Sequence, residues 1–91
     1  MKIGFIGTGN MAGAIMSGLI NKGIFQPDEI IGSDISGQGR QNAKDNYSIC
    51  VTEDNREAAS AEVLVLSVKP QFYADTIAEI RDSMTEKQLV I

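Results

Sequence analysis

The sequence contains no histidine, which removes the commonest general base and the commonest metal ligand from consideration. It holds one cysteine, Cys50, so there is no internal disulfide, and without histidine no zinc site can be assembled. Cys50 reads as a small buried hydrophobe in a reducing compartment rather than as a nucleophile. A basic block is missing too: the eight Lys and Arg are scattered through a chain of net charge −4, which argues against a nucleic-acid partner. Any phosphate must therefore be bound by backbone amides. Charge of either sign is absent from Ile3 to Ile20, and such a run raises the question of a signal peptide or a membrane span. Four glycines between residues 4 and 13, Asn10 within the run, and the lack of a strongly basic leader or cleavage pattern set both aside. A cytoplasmic protein with no membrane partner is expected. With no repeat, low-complexity tract or linker, 91 residues make at most one small domain.

What the chain does have is concentrated at its start, in Lys2 to Ile20. The uncharged Ile3-Gly4-Phe5-Ile6 is strand-length and suits a strand buried on both faces of a parallel sheet. Gly7, Gly9 and Ala12 follow in G-x-G-x-x-A spacing, in which the first glycine permits a tight turn and the second lets a pyrophosphate approach the backbone. Ala12 lets helix and strand pack closely. From there Ala12, Ile15, Met16, Leu19 and Ile20 recur at helical steps and predict one apolar stripe facing the core. The helix N-terminus then points at the glycine corner, where its free N–H groups and dipole would bind a diphosphate. Asp34 falls twenty-two positions after Ala12, at the end of the next apolar segment, the distance at which a carboxylate reaches an adenosine ribose. The plainer account of Asp34 is a turn begun with Ser36 and Gly37; that of Asn10 and Met11 is a helix N-terminus with a core methionine.

Further along, Asn21-Lys22-Gly23 stops the helix, Glu29 to Ser33 is a second strand, Arg40 to Asn46 a polar helical piece, and Ser48 to Val51 a short third strand. Glu53-Asp54-Asn55 supplies N-cap groups for a small helix over Arg56 to Ala61. Val63 to Val68 is the strongest strand signal, ending at Lys69-Pro70. Gln71 to Met84 predicts an amphipathic helix with Tyr73, Ile77, Ile80 and Met84 on its apolar face, which assigns Tyr73 to packing rather than to acid catalysis. Gln88 to Ile91 opens a fifth strand, and the chain stops inside it. Strands alternating with helices predict an α/β, doubly wound parallel sheet in order 3-2-1-4-5, truncated in its fifth strand, with ligands outside the strand carboxyl ends near strand 1. Because a buried strand has no termination signal there, a cofactor half of a longer enzyme is expected, spanning residues 1–91 here.

The opening Ile3-Gly4-Phe5-Ile6-Gly7-Thr8-Gly9-Asn10-Met11-Ala12, joined to Ser67-Val68-Lys69-Pro70-Gln71 after strand 4, resembles pyrroline-5-carboxylate reductase along the whole chain. The resemblance implies a Rossmann-like domain of an NADPH- or NADH-dependent reductase that delivers hydride to 1-pyrroline-5-carboxylate, giving L-proline. It implies cofactor contacts at the positions of Ile6, Gly7, Thr8, Gly9, Asn10 and Met11, at Asp34 and Asn55, and at Ser67, Val68, Lys69 and Pro70. It further implies a separate helical domain that forms homo-oligomers and most of the substrate pocket, so no catalytic residue is assigned and no metal is called for. Two departures stand out: Asp34 replaces the small hydroxyl residue of many members, and Glu57 to Glu62 is one residue short of the family pattern. A β-hydroxyacid or prephenate-type dehydrogenase, or a non-catalytic dinucleotide sensor, would share the glycine motif.

Overall fold

The computed structural model describes all 91 residues. Its strands are β1 (Ile3–Ile6), β2 (Ile30–Ser33), β3 (Cys50–Thr52), β4 (Val63–Leu66) and β5 (Leu89–Val90). Its helices are α1 (Asn10–Asn21), α2 (Gly37–Tyr47), α3 (Asn55–Ala59) and α4 (Tyr73–Ile80), with short 3-10 turns at Pro27–Glu29, Pro70–Phe72 and Arg81–Ser83. The strands form one parallel sheet in the order β3-β2-β1-β4-β5, as the alternation of apolar runs and helical segments predicts. No helix is long and apolar enough to cross a membrane.

Alternation along each strand divides the core between the two faces of the sheet. Ile3 and Phe5 of β1, Ile30 of β2 and Val65 of β4 pack with Ala12, Met16 and Ala43 beneath α1 and α2. Ile6, Ile31 and Leu64 pack with Ala58, Ala59 and Ile80 beneath α3 and α4. Both faces are covered, which is why these strands carry uninterrupted apolar runs instead of alternating polar ones. Cys50 is half-buried and packs against the second cluster rather than sitting fully within it.

Helix ends follow from local chemistry. The α1 helix closes in a Schellman arrangement, with Gly23 at φ +70° and the Ile24 amide donating to the Leu19 carbonyl at 3.0 Å. Ser36 caps α2 by accepting from the Gly39 amide at 3.0 Å, so this helix begins three residues earlier than its polar pattern suggests and runs through two glycines. Asp54 caps α3 by accepting from the Arg56 amide. The third strand begins two residues later than expected and ends one later, because Ser48 takes φ +59° to end α2 before the chain can extend.

Two apolar stripes are kept in part: Ala12, Met16, Leu19 and Ile20 of α1, and Ile80 and Met84 of the second, reach the core as expected, and the other members do not. Ile15 is 39% exposed, since α1 meets the sheet through Ala12, Gly13 and Met16. Gly13 lies directly under the Tyr47 ring, where a Cβ would stand 3.3 Å from Tyr47 Cζ, and Ile15 falls about 100° around the helix from the buried Met16. In α4 the buried residues are Thr76 and Ile80, one turn apart, and Met84, beyond the helix in extended backbone, packs against the same cluster as Ile80, whereas Tyr73 and Ile77 face outward. The helix rests on the short α3 through Ile80, which packs against the buried Ala58 and Ala59.

Candidate functional site

The register places the site. Ile6 pairs with Ser33 on one side and Leu66 on the other, and Ser33 with Thr52, so β1, β2, β3 and β4 end in one row. The residues that follow, Gly7, Asp34 and Ser67, therefore emerge together beside the point where strand order reverses. At that edge lies a cleft of about 460 Å³, within the range of small-molecule sites.

Its floor is the glycine corner. Gly7 has φ +96°, a conformation that L side chains rarely adopt, and its amide donates to the Ser33 carbonyl at 2.8 Å. The Ser67 hydroxyl lies 2.9 Å from the carbonyl oxygens of both Ile6 and Gly7 and ties β4 to the turn. A Cβ on Gly7 would stand 2.9 Å from the Ser67 carbonyl oxygen, so geometry and space both require glycine. Gly9, the N-cap of α1, differs: its φ of −74° and ψ of −164° suit any residue, and a Cβ there would meet no protein atom within 4 Å. No side chain caps this helix and no acid stands in its first turn. The first-turn amides thus face open space with the positive end of the dipole behind them, a cradle fitted to a phosphate that a side chain on residue 9 would fill.

Asp34 closes one end of the cradle. Its Oδ2 accepts from the Thr8 amide at 3.1 Å and the Thr8 hydroxyl at 2.8 Å, and its Oδ1 accepts from the Ser36 amide at 3.0 Å. It therefore both begins the turn into α2 and reaches back to the corner. Burial works against the charged carboxylate, but the Ser36 amide, the Thr8 hydroxyl and amide, and the nearby Arg40 guanidinium outweigh it and hold the carboxyl below its ordinary range. A carboxyl depressed on folding stabilises the protein above its unfolded pKa, near 3.9, and that contribution is lost as pH falls through the folded value. The thermal midpoint of the parent should accordingly exceed that of Asp34→Asn at neutral pH, with the gap narrowing below about pH 4. A gap constant from neutral pH down to pH 2 would show that the carboxylate is not held.

Asn55 opens α3 with its Oδ1 accepting from the buried Ser33 hydroxyl at 2.7 Å, which leaves its amide nitrogen to the cleft. Along the opposite wall stand Ser67, Val68 and Lys69, the last being the one basic side chain there, against Asp34, Asp75 and Glu79. An anion in this cleft relies on amides more than on side-chain charge, as the scattered lysines and arginines suggested.

Of the residues singled out in the sequence, Ile6, Gly7, Thr8, Gly9, Asp34 and Asn55 line this cleft together with Ser67 to Lys69. Asn10 lines a second cavity of about 330 Å³ on the far side of Thr8 and Asp34, against α2. Met11 lines neither cavity and is 57% exposed, so it is not a core methionine. Pro70 also lies outside both and starts the turn that leads into α4. Tyr73 is exposed and lines neither. The sequence reading missed Ile35 at the lip, Phe72 in the turn before α4, and Asp75, Thr76 and Glu79 on α4. The helical spacing of Phe72, Asp75, Thr76 and Glu79, with the rule that sites lie beyond strand carboxyl ends, was a usable signal hidden by the assignment of Tyr73 and Ile77 to the inner face.

Known proteins share this fold. A pyrroline-5-carboxylate reductase from Vibrio alginolyticus is 41% identical over 91 residues, covering 99% of this chain and 33% of the relative. The structure of a pyrroline-5-carboxylate reductase from Coxiella burnetii superposes with a TM-score of 0.87 at 34% identity, covering 99% of this chain and 35% of that one. A prephenate dehydrogenase from A. aeolicus gives a TM-score of 0.84 at 20% identity, covering 99% of this chain and 32% of that one, a likeness of fold alone. The chain thus spans about a third of the length of the curated relatives it matches. Residues 2–91 match the family described as NADP oxidoreductase, coenzyme F420-dependent, and the chain belongs to that family.

Proposed function

We propose that the cleft holds a nicotinamide dinucleotide and that residues 1–91 are the cofactor-binding domain of a pyrroline-5-carboxylate reductase, acting in proline biosynthesis in the cytoplasm. The observation that carries the cofactor reading is Gly9, a glycine at an uncapped helix start that no neighbouring protein atom requires. In this reading the amides from Gly9 onward hold the diphosphate, since the Thr8 amide is already committed to Asp34. Ile6 and Gly7 shape the corner beneath it, Asn10 and Met11 flank the helix start, and Asn55 offers its amide nitrogen to the adenosine half. Ser67, Val68, Lys69 and Pro70 border the nicotinamide half. When bound, the nicotinamide supplies hydride for the imine carbon of 1-pyrroline-5-carboxylate. The remaining two thirds of the relatives' length supplies the substrate pocket and the homo-oligomer contact. The identities of 34% and 41% favour the reductase over a prephenate-type dehydrogenase, with which the likeness is one of fold.

Asp34 bears on the choice of nucleotide. A 2′-phosphate brought about 4 Å from the carboxylate is repelled by about 4 kcal/mol at an effective dielectric near 20, and solvent at this open rim reduces that to about 1–2 kcal/mol. The remainder is roughly tenfold in affinity. NADH should therefore bind at least as tightly as NADPH in a fluorescence titration of the 91-residue chain, and Asp34→Ser should raise the relative affinity for NADPH severalfold. The same preparation should form no proline from 1-pyrroline-5-carboxylate. Failure of both nucleotides to bind would end the cofactor reading; vigorous proline formation would mean that the catalytic groups lie within these residues.

A further inference from the structure

The Asp34 carboxylate is held at three of its roughly four lone-pair positions, twice by Thr8 and once by Ser36. Thr8 is itself boxed in. A Cβ on Gly32 would stand 2.9 Å from the Thr8 methyl carbon, and a Cβ on Gly39 would stand 3.3 Å from Thr8 Oγ1 and 3.2 Å from Asp34 Oδ2. These two glycines belong to β2 and α2, so the Thr8–Asp34 pair fits only because two different elements lack side chains facing it. The pair also forms the wall between the two cavities, both of which it lines.

We infer that Thr8 sets the choice between the two nicotinamide nucleotides, by clasping Asp34 at the ribose end of the cleft so that its charge cannot retreat from a 2′-phosphate. This rests on the dinucleotide reading above and adds to it a residue that acts through another. An unclasped aspartate at a rim turns about its side-chain bonds toward water and admits the phosphate; a clasped one must first break a charge-assisted hydrogen bond. Arg40 is held beside this residue by its Nη1, which donates to the Asp34 carbonyl oxygen at 2.8 Å, so its charge offsets the same part of the repulsion whether or not Thr8 clasps the carboxylate. One lone-pair position remains free on the carboxylate, enough for a single ribose hydroxyl rather than both. Thr8 is thus a positioning residue, and its hydroxyl, not its bulk, carries the effect.

Two substitutions separate those properties. Thr8→Val keeps the branched shape and the backbone amide but loses the hydroxyl; Thr8→Ser keeps the hydroxyl and loses the methyl. Titration of each variant of the 91-residue chain with NADH and with NADPH should show the relative affinity for NADPH rising about threefold or more in Thr8→Val and staying within about twofold of the parent in Thr8→Ser. The Asp34 carboxyl, followed by carbon-13 NMR, should titrate higher in Thr8→Val and unchanged in Thr8→Ser. A merely structural role would weaken both nucleotides together. Gly39→Ala provides a second route in case Thr8→Val does not fold, since alanine favours the helix while its methyl pushes Thr8 and Asp34 apart, and the ratio should move in the same direction. An unchanged ratio in Thr8→Val, or in Gly39→Ala where the valine variant does not fold, overturns the inference while both nucleotides still bind. If neither nucleotide binds the parent, the dinucleotide reading itself fails.

Discussion

Gly9→Val should abolish binding of NADH and NADPH while leaving the chain folded. Valine accepts the extended backbone of residue 9, where φ is −74° and ψ −164°, and its Cβ would meet no protein atom within 4 Å. The loss of a favourable N-cap residue costs at most about 1 kcal/mol, a fall of about 4–8 °C in thermal midpoint for a domain of this size. Its two methyl groups, however, occupy the space in front of the α1 amides, where a phosphate oxygen must come within about 3 Å of nitrogen. Losing two hydrogen bonds to a charged group, at about 1.5–3 kcal/mol each, weakens binding by at least about a hundredfold. Fluorescence titration with a parallel melting curve by circular dichroism reads both quantities. A folded variant that binds within about twofold of the parent would show that the phosphate lies elsewhere.

Gly4→Ala should do the opposite and strike the fold itself. Gly4 sits in the middle of β1, facing α3, and a methyl group there overlaps the Ala58 carbonyl oxygen while standing 3.0 Å from the Ala58 carbonyl carbon and 3.2 Å from the Ala61 methyl. All of these neighbours are fully buried, and the obstacle is backbone, which has no alternative rotamer. The short α3 would have to lift away from the sheet, taking Ala58, Ala59 and the contact with Ile80 of α4 with it. Overpacking of this kind costs about 1–3 kcal/mol when side chains can yield and more when they cannot, out of a total stability of about 5–15 kcal/mol. The thermal midpoint should fall by more than about 10 °C. A drop below about 4 °C would mean that α3 is not clamped to β1 through this glycine. These two glycines, five residues apart in one motif, are thus fixed by different things: Gly4 by the protein's own packing and Gly9 by the room a ligand needs.

Short-range chemistry determined most of the architecture. Ile3 to Ile6 and Val63 to Leu66 read as two-sided strands because every residue is apolar or glycine, a pattern that serves only a strand covered above and below. Gly7, Gly9 and Ala12 fixed the turn and the start of α1, and the apolar segment ending at Ser33 set how far along the chain Asp34 would emerge. With parallel pairing and right-handed crossovers, the glycine corner after β1 and the acid after β2 then pointed to the order found, and with it to the edge at which the site lies.

Tertiary structure decided the rest, because it depends on the volume of whatever stands opposite. Periodicity shows that α1 and α4 each have an apolar stripe, but which residues are buried depends on what stands opposite: Tyr47 of α2 over Gly13, and Ala58 and Ala59 of α3 against Ile80. The outward turn of Ile15, Tyr73 and Ile77 could not be seen from spacing alone. Contacts between distant residues were equally invisible: the Ser67 hydroxyl on the Ile6 and Gly7 carbonyls, the Gln88 amide on the Ala59 and Ala61 carbonyls, and the Ser33 hydroxyl on Asn55. The clasp of Thr8 on Asp34 spans twenty-six positions and exists only because Gly32 and Gly39 leave room for it. The sequence by itself determined which groups reach the cleft edge, through strand length and turn chemistry; only the packing of elements decided which of them hold one another, since a hydrogen bond forms where volumes permit its two ends to meet.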